Sequence, residues 1–193
     1  MGARTIGTLV AATILLAAGA PAIAAPASVD VSVAPRLQDK AVRTLGARDV
    51  DRLAAHLRTT VARRPAGSKA YDGARIELVL LDAAPNHPTP KQLHDMPHLS
   101  TLGSQIGGVL IEGRAVAADG AVKPIRYLYN QNDIFRSMEG GTWADAQYGV
   151  EIFARQLARG EPLNTKPIKV FNAESARPRD GVVTLKYHDD RPL

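Results

Sequence analysis

The stretch SQIGGVLIEGRAVAADGAVKPIRYLYN, residues 104–130, decides the fold reading. Ile106, Val109, Ile111 and Val116 lie on a predicted strand from Ser104 to Ala118, and Gly107, Gly108 and Gly113 within it announce at least one bulge or bend. Asp119-Gly120 reads as a two-residue hairpin turn. Val122 to Asn130 then returns as the partner strand, with Ile125, Tyr127 and Tyr129 on one face. A sheet with antiparallel pairing is therefore expected, and it needs helices to cover its apolar face.

Two segments qualify. In Arg48 to Arg63, Val50, Leu53, Leu57 and Val61 recur at three- and four-residue intervals and form one apolar stripe. Asp49 and Asp51 favour the positive end of this helix, arginines crowd its last turn, and Pro65 and Gly67 end it. Thr142 to Arg159 is the strongest helix pattern, with Trp143, Ala146, Val150, Phe153 and Leu157 in line. Thr142 is the expected N-cap, Asp145 the acid of a capping box and Gly160 the C-cap. Further strands are predicted at Val29–Val33, stopped by Pro35, and at Arg75–Asp82, whose nearly continuous apolar run places it centrally with both faces covered. Arg36 to Ala47 reads as a polar connection. Ala83 to Leu99, with four prolines, reads as a long irregular loop. Weak strand patterns at 168–171 and 182–187 precede a tail, 188–193, expected to fray. The order satisfies an α+β two-layer sandwich, a mostly antiparallel sheet with two helices on one face.

The N-terminus reads as a secretory signal. Arg4 supplies the positive head, Thr5 to Ala20 the uncharged apolar run, and Ala22-Ile23-Ala24 the small-residue cleavage site. The run is shorter than the roughly 20 residues of a spanning helix. Cleavage after Ala24, with Ala27 as the alternative, leaves 169 of the 193 residues as a single domain, residues 25–193. No membrane span is expected after cleavage, and the product is expected in the periplasm or the medium. The sequence has no cysteine, which excludes lipidation at a processed N-terminal cysteine, thiol redox chemistry, a Cys nucleophile and cysteine-ligated zinc. Arg4 leaves with the signal, so the product carries 23 basic and 19 acidic residues, a net of +4. The charges are interleaved without aromatic partners, a mildly basic surface suited to anionic envelope polymers rather than to nucleic acid.

In layout, with a strand and helix, a glycine-bearing hairpin from Gly107 to Tyr129 and a closing helix over Trp143 to Leu157, the chain resembles small periplasmic accessory and lipoprotein-like envelope domains of proteobacteria. The resemblance rests on layout, and it implies no catalytic residues.

Candidate chemistry concentrates in the proline-rich loop. Asp82, Asn86, His87, His94, Asp95 and His98 include three of the five histidines within twelve positions. Imidazole and carboxylate ligands suit zinc, copper or nickel, and prolines lower the entropy cost of fixing them. A histidine pair His94/His98 would share a helix face, which Pro97 opposes. Asp82 is equally suited to cap the turn that follows it by accepting from backbone amides. Gly103 to Gly108 lacks the helix and lysine of a phosphate loop, and Ser100 and Ser104 are not in a nucleophile elbow. Tyr127, Tyr129 and Trp143 read as core, with an aromatic ligand platform as the alternative. The leading functional expectation is a non-catalytic binding or accessory module without a cofactor, whose partner is an envelope protein or an anionic envelope polymer. The alternatives are a metal-binding protein or metal-assisted hydrolase using the histidine loop, and a small-molecule binder between sheet and helices.

Overall fold

A computed structural model describes residues 25–64 and 71–163. The signal segment, the tail and the two weak strand patterns within it lie outside these residues. The fold is α+β, a four-stranded mixed sheet with helices α1 to α5. The strands β1 (Ser28–Val33), β2 (Arg75–Ala84), β3 (Gly108–Val116) and β4 (Val122–Asn130) lie in that order across the sheet. β1 pairs with β2 in parallel, through the crossover that contains α1 (Pro35–Lys40) and α2 (Ala47–Arg63), while β2–β3 and β3–β4 are antiparallel. The remaining helices are α3 (Pro90–Asp95), α4 (Ile134–Glu139) and α5 (Ala144–Arg159).

The period-two pattern works out in register. Ile76, Leu78 and Leu80 of β2 stand on the same face as Ile111 and Ala115 of β3 and Ile125 and Tyr127 of β4, all buried. Helix α2 packs on β1, α5 packs on β3 and β4, and the two helices pack on each other. Their stripes, Val50, Leu53 and Leu57 on α2 and Val150, Phe153 and Leu157 on α5, close one continuous apolar core. Tyr127 and Phe153 meet at its centre, ring centroids 5.2 Å apart. On the other face of the sheet, Glu77 bridges Arg75 and Arg114, and Glu112 faces Arg126. Arg114 beside Glu77 holds that carboxyl below the ordinary range. β2 is thus central but alternates buried and open residues, contrary to the expectation that both its faces are covered. Its apolar run continues because Val79 and Leu81 sit half-buried on the second face.

Three connections differ from the sequence reading. The supposed polar connection after Pro35 is helical: Pro35 opens α1, which runs on through one π turn (Ala41–Leu45) and buries Leu37, Ala41 and Leu45. Proline is pre-organised for a first helical turn, so it starts a helix as readily as it stops a strand. The proline-rich loop likewise contains α3, with Pro90 in its first turn. Thr89 accepts from the Gln92 amide while the Gln92 side chain accepts from the Thr89 amide, a complete capping box. The hairpin has three loop residues rather than two. Ala117 and Ala121 still pair, Gly120 donates back to the Ala117 carbonyl, and Gly120 then takes φ +86°, a type I turn followed by a left-handed residue.

The sheet's register irregularity lies on β2, where Leu81 is the extra residue between Leu80 and Asp82, not at a glycine. Gly113 has another reason for its identity. A Cβ there would stand 2.1 Å from the Glu77 carbonyl oxygen, so any side chain forces β2 and β3 apart. Gly113→Ala is expected to destabilise the protein by about 2 kcal/mol or more. Urea unfolding of wild type and variant measures this as a lowered midpoint.

Candidate functional site

Four segments meet at the end of the sheet where β2 and β4 finish and β3 begins. The chain leaving β2 passes through Asn86, which is fully buried. All four of its polar groups are used. Its backbone N–H donates to the Thr142 carbonyl (2.8 Å), and its carbonyl accepts from the Gln105 amide (2.9 Å). Its side-chain Nδ2 donates to the Ser137 carbonyl (2.9 Å), and its Oδ1 accepts from the Asp145 amide (3.3 Å). One asparagine therefore ties the β2 exit, the β3 entry, α4 and the start of α5.

Asp145 completes the cluster. The residue is 4 % exposed, and its Oδ2 accepts from the Ser137 hydroxyl at 2.6 Å and from the Gly107 amide at 3.0 Å. The expected capping box at the start of α5 is not formed. Trp143 rather than Thr142 is the N-cap residue, no side chain caps the helix, and Asp145 turns inward to the β3 entry. Asn86 from across the sheet supplies an acceptor to a first-turn amide instead, so a long-range bond replaces the local one.

The cluster explains α4. A six-residue helix gains too few internal hydrogen bonds to persist alone. Here Asp133 caps it by accepting from the Phe135 amide (2.9 Å), and Ser137 anchors it from beneath through both its hydroxyl and its carbonyl. With Ser137 inward, Phe135 and Met138 point outward, 73 % and 53 % exposed. Met138 and Glu139 close α4, and Gly140 and Gly141 follow it before α5.

The other sequence-singled residues take separate places. Asp82 accepts from Lys40 Nζ (2.8 Å) and from the Ala83 amide (2.8 Å) at the β2 bulge, two residues before the strand ends. His87 Nδ1 lies 2.9 Å from the Gly103 carbonyl oxygen, bracing the returning loop. Asp95 pairs with Lys91 across one helical turn, and His94 and His98 are exposed. No group of three or more His, Asp or Glu side chains placed to hold a metal ion occurs among the described residues. The loop is thus divided between the bulge, the clasp and the surface.

Of the aromatic residues, Tyr127 is core, Tyr129 is half-buried and meets Tyr148 edge-on at 5.8 Å, and Trp143 packs partly buried against the core. Burial pushes the Tyr129 phenol up to about 12, with Asp145 and Tyr148 adding to the shift and Arg136 opposing it. Burial raises Tyr127 further still.

A recess between α2, α5 and the sheet, lined by Val61, Tyr71, Ile76 and Leu157, holds about 10 Å³, room for one water molecule. No helix among the described residues is long and apolar enough to cross a membrane. No protein-family model matches the chain, and no curated protein is significantly similar to it.

Two outcomes follow from the clasp. Asn86→Ala leaves the Ser137 carbonyl and the Asp145 amide buried without partners and is expected to cost about 2–4 kcal/mol. Asp145→Asn keeps an acceptor for Gly107 and Ser137 and should cost clearly less than Asp145→Ala, as chemical denaturation of the three variants will register. The tyrosines set the alkaline limit. A phenol with a raised folded-state pKa adds stability that is fully present below its ordinary pKa of 10.0 and is lost as pH rises through about 12. Melting temperature should therefore fall across that interval, and less so in Tyr129→Phe.

Proposed function

We infer that the chain is an exported, non-catalytic binding module of the cell envelope, released by removal of residues 1–24, and that its partner is a protein docked on the apolar end of the sheet. The single observation behind this reading is where the exposed large apolar side chains gather. Among the described residues there are seven, and six of them (Val42, Leu102, Ile134, Phe135, Met138 and Tyr148) belong to elements at one end. Val42 lies on the π turn, which contacts α3 just beyond β2. Leu102 is in the loop that His87 braces, Ile134, Phe135 and Met138 are on α4, and Tyr148 leans on Tyr129 at the end of β4. The seventh, Val122, is at the hairpin end. Apolar residues scattered over a surface mean little, whereas their concentration marks contact sites.

The chemistry of this end supports binding over turnover. Its buried polar groups (Asn86, Ser137, Asp145) satisfy one another and lie beneath the surface, a supporting framework rather than a reacting one. The recess between helices and sheet is far below the several hundred Å³ of a small-molecule site. The same reading takes the domain as two layers, with α2 and α5 covering one face of a mostly antiparallel sheet. The alternation of buried Ile76, Leu78 and Leu80 with the open Glu77 supports this.

The test is cross-linking in cells with a photoreactive residue placed at Tyr148 or at Lys123. Tyr148 should capture a discrete protein species and Lys123 should not. Adding Phe135→Asp should abolish the capture while the melting temperature stays unchanged. The same pattern from both positions, or capture that survives Phe135→Asp, contradicts the reading.

A further inference from the structure

The charge of this protein is not spread evenly. Residues 36–64 contain eight basic side chains and three carboxylates, a net +5 equal to that of the entire chain, so all other residues sum to zero. Three of the eight are committed to partners elsewhere, Lys40 to Asp82, Arg64 to Glu151 and Arg58 to the Val31 carbonyl. Arg52 has only a long contact to Asp49 (3.6 Å), with its side chain 80 % exposed. Arg48 and Arg63 are exposed and appear in no ion pair among the described residues.

Helix geometry places three of these cations together. At about 100° per residue, the sector of α2 opposite its core stripe contains Arg48, Asp51, Arg52, Ala55, Thr59, Ala62 and Arg63, with Asp51 and Arg63 at its two edges. All seven are exposed, and Asp51 at one edge is the single carboxylate against three arginines. The arginines span about 22 Å at about 1.5 Å per residue. Between Arg52 and Arg63 only methyl groups and one hydroxyl rise from this sector, so an extended chain can lie close to the backbone there and still be reached by the guanidinium groups. Their planar forks match phosphate in two-point contacts. No aromatic ring lies in this sector of α2, so the bases of a nucleic acid lack the ring platforms that single-strand binders provide.

We propose that the outer face of α2 is a binding track for a linear, phosphate-bearing polymer of the cell envelope, held by Arg48, Arg52 and Arg63. The track is carried by Arg48, Arg52 and Arg63 of α2, whereas the apolar docking end is carried by Val42 of the π turn, Leu102, α4 and Tyr148 of α5, so the two share no side chain. The two assignments can therefore fail independently.

The experiment titrates the full chain with linear polyphosphate between about 50 and 200 mM salt, following affinity by calorimetry. Binding should weaken steeply with salt. The triple variant Arg48→Gln/Arg52→Gln/Arg63→Gln should lose about tenfold or more in affinity, and its log–log salt slope should shrink by about 2. Lys123→Gln/Arg155→Gln/Arg159→Gln removes the same charge from other elements and should lose much less. Circular dichroism establishes that both variants fold. Absence of binding by wild type, equal losses in the two triple variants, or salt-independent binding each overturns the track. Tighter binding of single-stranded DNA than of polyphosphate at equal charge overturns the polymer assignment. Cross-linking from Tyr148 in the α2 triple variant should be unchanged.

Discussion

A buried carboxylate and a buried amide hold one end of this protein together. Asp145 and Asn86 lie 59 residues apart, yet the asparagine takes up an amide of the first turn of α5 while the aspartate receives the Gly107 amide and the Ser137 hydroxyl. Each bond removes an orphaned group that would otherwise cost about 1–3 kcal/mol in the interior. Because the partners come from four segments, satisfying them fixes how the β2 exit, the β3 entry, α4 and α5 sit together. The apolar core decides that helices lie on the sheet, and the clasp decides what the end of the sheet presents to solvent.

That division accounts for α4. The core does not need the helix, since Ile134, Phe135 and Met138 all face out. It persists because Ser137 is drawn down by the clasp and Asp133 caps it. Exposed apolar side chains held by a buried polar framework add nothing to the core, and the proposed docking of a partner gives them a role. The arginine face of α2 has a different origin. It is the outer surface of an amphipathic helix whose other side fills the core, and its excess of arginine over the one carboxylate, Asp51, is a property of sequence alone.

Much of the fold was legible in the sequence because it rests on local periodicity. β4 falls at the predicted residues, α2 and α5 within two of the predicted starts, and Ile125, Tyr127 and Tyr129 do share a face. The errors have specific causes. Proline was read as a terminator at Pro35 and Pro90, where it begins helices. Thr89 to Gln92 nevertheless carried a capping-box spacing, and Leu37, Ala41 and Leu45 a four-residue one. The site was barely legible. Asn86 was picked out for its loop, not for its four bonds, and Asp145 was given a local cap because spacing alone cannot reveal a partner 38 residues away in Gly107. Ser137 carries no sequence signal at all. Its importance comes from where tertiary structure puts it.

Native-state hydrogen exchange at the Gly107 and Asp145 amides tests the central claim most directly, because each donates to a clasp acceptor. If the clasp fixes this end of the molecule, both amides exchange only through global unfolding, with the same free energy as Ile111 in the centre of β3. Exchange of both through a low-energy local opening, while Ile111 stays protected, would mean that this end opens independently of the core and that the clasp does not hold α4 in place.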